Sequence, residues 1–155
     1  MDRSRTKELQ LTGDGWLSQQ PAKRVLLITD VEVPGCVTAT LTVETDGPTT
    51  DWVVRLCDIH PDGRSYNVAD GVTRVETVPG GASVVEVDLW STSMLFKVGH
   101  RIRVQVTSIR FPRWDRNPNT ADGLRTGEMR VASQVLHAGG KAQSFVTLPV
   151  VPQAR

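Results

Sequence analysis

Aromatic residues are scarce in this chain: three Phe, four Trp and one Tyr make up 5% of 155 residues. A core built from it must therefore be mostly aliphatic. The basic residues also do not interleave with aromatics as they do in proteins that stack single-stranded nucleic acid. Charge of one sign is missing too. Eighteen Lys and Arg offset seventeen Asp and Glu, for a net charge of +1, so no global field favours nucleic acid or an anionic membrane. No apolar run approaches the ~20 residues of a membrane span. The N-terminal Met-Asp-Arg-Ser-Arg-Thr-Lys-Glu has no apolar stretch behind it, so no secretory signal is expected and the reading is cytoplasmic. Only two cysteines occur, Cys36 and Cys57, without metal-ligand spacing. They are read as small packing residues of a reducing compartment rather than a disulfide. Histidine is rare, and His60, His100 and His137 lie far apart in sequence. No two share the i,i+2 or i,i+4 spacing that brings metal ligands together locally. No metal and no cofactor are expected.

What is present is alternation. Val37, Ala39, Leu41 and Val43 alternate with three threonines, the period of two that marks a half-buried strand. Trp52, Val54 and Leu56 behave alike, as do Val85, Val87 and Leu89, and Ile102, Val104 and Val106. Weaker strand patterns cover 6–11, 25–31, 68–76, 129–136 and 144–151. Turn punctuation separates them: Pro34-Gly35, Asp46-Gly47-Pro48, Pro61-Asp62-Gly63, Pro79-Gly80-Gly81, Asp122-Gly123 and Gly139-Gly140. No window of ten or more residues keeps a 3.6-residue period. Short strands, frequent turns and one apolar face per strand predict an all-β, jelly-roll (galactose-binding-like) sandwich of two antiparallel sheets. The whole of 1–155 is expected to form one domain, long enough to bury roughly two thirds of its unfolded surface.

The densest chemistry lies in Ile109-Arg-Phe-Pro-Arg-Trp-Asp-Arg-Asn-Pro-Asn-Thr120. Arg110, Arg113 and Arg116 want planar carboxylates, and Asp115 is the acidic residue beside them. Pro112 and Pro118 restrict their own φ and push Phe111 and Asn117 toward extended shapes. The stretch reads as a stiff polar loop with its own internal bonding, one that docks a surface or lines a pocket, with Trp114 and Asn119 among its contacts. Asp58 and His60, two apart on a strand, point the same way and form the best acid–base pair. The plainer reading of that pair is a loop-anchoring hydrogen bond. His100 is read as structural and His137 as a turn residue. Gly63-Arg-Ser65-Tyr-Asn67 and Gly81-Ala-Ser83-Val-Val85 lack the second glycine of a nucleophile elbow, so no catalytic residue is assigned.

Four motifs carry a family resemblance. Cys57-Asp-Ile-His-Pro-Asp-Gly-Arg-Ser-Tyr-Asn-Val-Ala-Asp-Gly71, Val87-Asp-Leu-Trp-Ser-Thr-Ser93, Lys97-Val-Gly-His-Arg-Ile-Arg103 and Phe111-Pro-Arg-Trp-Asp-Arg-Asn-Pro-Asn-Thr120 occur in order. Leu9-Gln-Leu-Thr-Gly-Asp-Gly-Trp-Leu-Ser18 adds an opening strand and turn. Together they resemble the C-terminal jelly roll of the X-Pro dipeptidyl-peptidase and cocaine-esterase family of serine hydrolases, over roughly residues 36 to 152. In that family the Ser, Asp and His of the triad belong to a separate α/β-hydrolase domain. No position here matches them. The family's jelly roll packs on that domain and helps wall its active site.

Two stretches are shorter than in the family, Ser18 to Val25 and the ten residues after Gly71, which suggests a gene product living alone. A face that evolved against a partner must then be covered or used. Trp114, Phe111, Tyr66, Trp90 and Phe96 are the residues expected on it. Three uses follow. The first is a non-catalytic binding or interaction module, covered by a homodimer, an α/β-hydrolase chain or a small-molecule ligand. The second is a biosynthetic cyclase or isomerase with Asp58, His60, Arg64, Arg113, Asp115 and Arg116 as polar equipment. The third is a detached accessory domain of a hydrolase supplied in trans. The binding residues expected are Asp58, His60, Arg64, Tyr66, Arg110, Phe111, Arg113, Trp114, Asp115, Arg116, Asn117 and Asn119.

Overall fold

The structure is a computed structural model that describes residues 27–76, 81–125, 127–138 and 144–152, and the backbone of 5–10. Among the described residues eight strands run in chain order: β1 (Arg5–Gln10), β2 (Val31–Thr45), β3 (Thr49–Ile59), β4 (Ser65–Glu76), β5 (Ser83–Phe96), β6 (Arg101–Thr107), β7 (Gln134–His137) and β8 (Phe145–Val150). One sheet has the order β1-β8-β2-β5, with β7 also pairing β2, and the other has the order β4-β3-β6. Every pairing is antiparallel. A single 3-10 turn at Gly123–Arg125 is the only helical segment among the described residues, and no helix of the described residues is long and apolar enough to cross a membrane. The two-sheet antiparallel sandwich expected from the alternation is what forms.

The core lies between the sheets. Val37, Ala39, Leu41 and Val43 of β2 and Val85, Val87 and Leu89 of β5 face Trp52, Val54 and Leu56 of β3. Pleat periodicity puts these alternate residues on one face and burial holds them there. The sheets meet most closely where β4 crosses β5. A Cβ on Gly71 would lie 1.9 Å from the Asp88 carbonyl oxygen, so only glycine fits, and Thr73 Oγ1 donates to the Glu86 carbonyl at 2.8 Å.

Several expectations change. Pro34-Gly35 is not a turn but lies inside β2. Glu32 accepts from the Val151 N–H on the β8 side, and Pro34, two residues on, turns its nitrogen the same way. The β2–β8 ladder begins only at Thr38, so no ladder hydrogen bond is lost there. Phe96 is fully buried rather than exposed. The β2–β5 register shifts between Cys36 and Thr38, leaving Leu89 and Trp90 opposite one residue. That bulge moves the inward positions from Val85, Val87 and Leu89 to Met94 and Phe96. The described part of 25–31 is a loop up to Asp30, and 129–133 is irregular. The shortened 18–25 stretch, the Pro79-Gly80 and Gly139-Gly140 turns and most of the Leu9–Ser18 motif lie outside the described residues. Both cysteines are free, Cys57 buried but Cys36 exposed, with its Sγ 3.1 Å from Ser91 Oγ.

Candidate functional site

The outer face of the three-stranded sheet carries two buried aspartates. Asp51 of β3 lies opposite Arg74 of β4, and Arg55 opposite Asp70. Asp51 and Asp70 are about 4–5% exposed, and a carboxylate so placed is costly unless paired. Arg74 of β4 and the loop after β6 supply the partners. Arg74 Nε and Nη2 donate to the two Asp51 oxygens at 2.7 and 2.9 Å, and Asn117 Nδ2 donates to Asp51 Oδ1 at 2.8 Å. Asp115 sits 3.3 Å from the same guanidinium. The hydrogen bond to Asp51, its largest cause, holds the Arg74 guanidinium above the ordinary arginine range. Arg113 Nε lies 3.1 Å from Asp70 Oδ1. Arg110 Nε lies 3.5 Å from Asp70 Oδ2, and that pair is an ion contact without hydrogen-bond geometry.

The loop thus bonds outward, to the sheet, and not chiefly within itself as the sequence suggested. Asp115 serves Arg74, while Arg110 and Arg113 share Asp70. Asn117 Oδ1 accepts from the Asn119 N–H at 2.8 Å and from Thr49 Oγ1 at 3.2 Å. Asn119 sits at φ 59, in the left-handed region that Asn tolerates better than most residues, and its Nδ2 donates to the Arg130 carbonyl. Trp114 is half-buried, with the Arg113 guanidinium 5.0 Å from its ring centroid. Phe111 stays 69% exposed, and Arg116 is exposed.

Trp90 is the second bare aromatic, also 69% exposed. It takes φ 67 at the β5 bulge, with its N–H donated to Asp88 Oδ1 at 2.7 Å. It borders an open hollow of about 320 Å³ lined also by Asn67, Val68, Asp70, Ser91 and Arg113. A second hollow, about 260 Å³, lies between Arg74, Asp115 and Trp114. Both are open and shallow, the first lined mainly by polar surface, and neither is a deep enclosed cavity.

A separate cluster forms at the end of the same sheet. The β3–β6 register pairs Ile59 with Arg101 and Asp58 with Ile102, so one step further sets His60 against His100. The two rings stand 4.3 Å apart. Asp58, one strand step inward on that face, is 1% exposed. His100 Nδ1 lies 2.9 and 3.0 Å from its oxygens, and His60 Nε2 lies 3.2 Å away. Each histidine is held by its own turn. The His60 N–H donates to the Arg64 carbonyl across Pro61–Gly63, which is closed by Asp62 accepting from the Arg64 N–H and Nε. The Arg64 backbone N–H, then its side chain, hold the Asp62 carboxyl below its usual range. The His100 N–H donates to the Lys97 carbonyl, and its own carbonyl accepts from the Leu27 N–H. Tyr66, paired with Asp58, lays its ring 4.5 Å from that of His60. Arg64 is spent on Asp62 at 2.7 Å.

Sequence reasoning found Asp58 and His60 but not His100, since cross-strand pairing, not local spacing, brings it in. The signal was the edge-strand register, which a single sequence does not print. His137 ends β7 rather than sitting in a turn, with Nε2 2.7 Å from Glu44 Oε1.

Comparison with known proteins places this arrangement. The X-Pro dipeptidyl-peptidase C-terminal non-catalytic domain matches residues 25–147. Cocaine esterase of Rhodococcus sp. (strain MB1 Bresler) is 37% identical over 139 residues, covering 81% of this chain and 24% of the esterase. An α-amino acid ester hydrolase structure superposes with a TM-score of 0.75 at 26% identity, over 81% of this chain and 24% of that one. An aminopeptidase from a marine sediment Thaumarchaeota archaeon gives 0.77 at 24% identity, over 92% and 28%. This chain therefore spans about a quarter of the length of these relatives. The family match over residues 25–147 and the 37% identity to the esterase agree, and the chain belongs to the family of X-Pro dipeptidyl-peptidase C-terminal non-catalytic domains.

Proposed function

We propose that this chain is a non-catalytic interaction module, and that its working surface is the rim bearing Trp90, Phe111 and Arg113. The observation that carries this reading is the 69% exposure of both Trp90 and Phe111. A sandwich with few aromatics leaves these two more exposed than Tyr66, at 44%. Phe111 belongs to a loop that is fastened to the sheet, and Trp90 borders the open hollow beside Arg113. Covering such side chains is worth roughly 2–3 kcal/mol each, and aromatic and Arg residues are the usual anchors of interfaces. The partner that fits is an α/β-hydrolase domain of the kind found in esterases of this family, borne on the same polypeptide or another. An enzyme working from an Arg/Asp pocket has less support. The hollows beside Arg113 and Asp115 are shallow, and Arg113, Asp115 and Asn117 are already engaged with sheet residues.

The test is binding of the purified chain to an esterase α/β-hydrolase domain from which its own C-terminal sandwich has been removed, followed by calorimetry. Saturable binding that Trp90→Ser and Phe111→Ser each weaken by roughly tenfold or more supports the reading. Self-association of the chain through the same residues would replace the hydrolase by a second copy. Ester hydrolysis by the purified chain, abolished by changing one of its own serines, would overturn it.

A further inference from the structure

We infer that Asp58, His60 and His100 form a binding site for a divalent transition-metal ion, with Zn²⁺ as the reference ion. The donor atoms of the three side chains lie within 4.8 Å of one another. Two imidazoles and a carboxylate are donors that suit zinc and its neighbours and suit Mg²⁺ or Ca²⁺ poorly.

The geometry is close to that of a loaded site. Ligands about 2.0–2.1 Å from a tetrahedral metal stand about 3.3–3.4 Å apart. His60 Nε2 is 3.2 Å and His100 Nδ1 2.9 Å from Asp58 Oδ2, a few tenths of an ångström short of that spacing. The third edge, between the two imidazole nitrogens, is no longer than 4.8 Å, so a small turn of the exposed His60 ring brings the donors to an ion. Asp58 is fixed from within a strand, and both histidines are fixed by backbone hydrogen bonds of their turns. Little ordering remains to be done on binding.

The electrostatics also ask for a cation. The Asp58 side chain is 2% exposed, and the polar contacts it makes among the described residues are the two imidazoles. With both rings neutral, a buried negative charge has no counter-charge, a costly state. A metal supplies that charge when both rings are deprotonated, and imidazolium supplies it when they are not. His60 is 37% exposed and His100 14%, which leaves an outer side open for a fourth, water ligand. The ion would join the β3–β4 turn to the β5–β6 turn. This departs from the expectation of no metal, which rested on local spacing alone, and it does not depend on the proposed interaction surface.

The experiment uses the tag-free chain after chelator dialysis, titrated with Zn²⁺ alone in competition with a chromophoric chelator. One equivalent should bind at pH 7.5, with the ¹⁵N imidazole resonances of His60 and His100 shifting and that of His137 unmoved. Affinity should fall by about 100-fold in His60→Gln and in His100→Ala, and His137→Ala should bind as the parent does. Binding should weaken on acidification, because a protonated imidazole cannot ligate the ion. His60→Gln lies on an exposed turn and keeps the test valid if His100→Ala does not fold. Absence of one-equivalent uptake at micromolar Zn²⁺, or uptake unchanged in His60→Gln, overturns the inference and leaves the cluster as a hydrogen-bonded pair of turns.

Discussion

Replacing Arg74 by Met tests whether the Arg-rich loop is fastened by the sheet or merely rests on it. Methionine keeps the aliphatic stem and removes the guanidinium. Asp51, about 4% exposed, then keeps Asn117 Nδ2 and loses both charge-assisted bonds from Arg74. Breaking a buried pair by removing one partner costs about 3–5 kcal/mol. The Arg74 side chain is 47% exposed, so water screens part of that attraction and the expected loss is about 2–3 kcal/mol. For a chain of this size that is a fall of roughly 4–12 °C in Tm. Urea unfolding should show a lower midpoint with an unchanged slope. Arg74→Lys should recover less than half, since an ammonium cannot span two oxygens as the fork does. The double variant Asp51→Asn, Arg74→Met should be more stable than Arg74→Met alone, because the only carboxylate left without Arg74 is then the exposed Asp115. A loss below about 0.5 kcal/mol for Arg74→Met, or a double variant no better than the single, would refute the latch.

Gly71→Ala should fail to give soluble, cooperatively melting protein, since its Cβ would fall 1.9 Å from a backbone oxygen that cannot swing aside; circular dichroism melts check this. Arg113→Ala should cost about 1–2 kcal/mol through Asp70, while Arg116→Ala should change urea stability by less than about 0.5 kcal/mol. Asp62 should titrate below its ordinary 3.8, because the Arg64 N–H and guanidinium stabilise its charged form. Its contribution to stability is therefore present above pH 3.8 and lost as pH falls through the lower folded value. Carboxyl ¹³C shifts followed from pH 7 to 2 would show it, and Arg64→Ala should return the midpoint toward 3.8.

The fold was legible because alternation needs no partner to be seen. Val37 to Val43 and Val85 to Leu89 each mark their own inward face, and burial follows it residue by residue. The same logic failed at Phe96, since the bulge at Leu89–Trp90 is specified by what lies across the sheet. It failed at Pro34-Gly35 for a related reason: whether proline ends a strand depends on whether a neighbour wants its N–H. The Arg-rich loop was visible as chemistry, yet its partners Asp51 and Asp70 lie more than 30 positions away in sequence. Asp115 was the nearest carboxylate in sequence and not the nearest in space. His100 was missed on the same ground, being joined to His60 by register.

These long-range bonds bear on what the exposed aromatics can do. A loop held only by its own proline and turn geometry would sample many shapes, and Phe111 would lose that freedom on docking, at a cost of about 0.5–1.5 kcal/mol per ordered side chain. Here Arg110, Arg113 and Asn117 anchor the loop to buried carboxylates on either side of Phe111 and Trp114. Trp90 is fixed by the Asp88 hydrogen bond at a strand bulge. The backbone that carries both rings is therefore held before any partner arrives, which lowers the ordering cost of docking. Loosening the latch should weaken docking even where the aromatics are untouched. Arg113→Ala tests this: hydrolase-domain affinity should fall further than Arg116→Ala lowers it, with Phe111 and Trp90 both intact. Equal effects of the two substitutions would mean that simple surface charge, rather than a fastened loop, governs the contact.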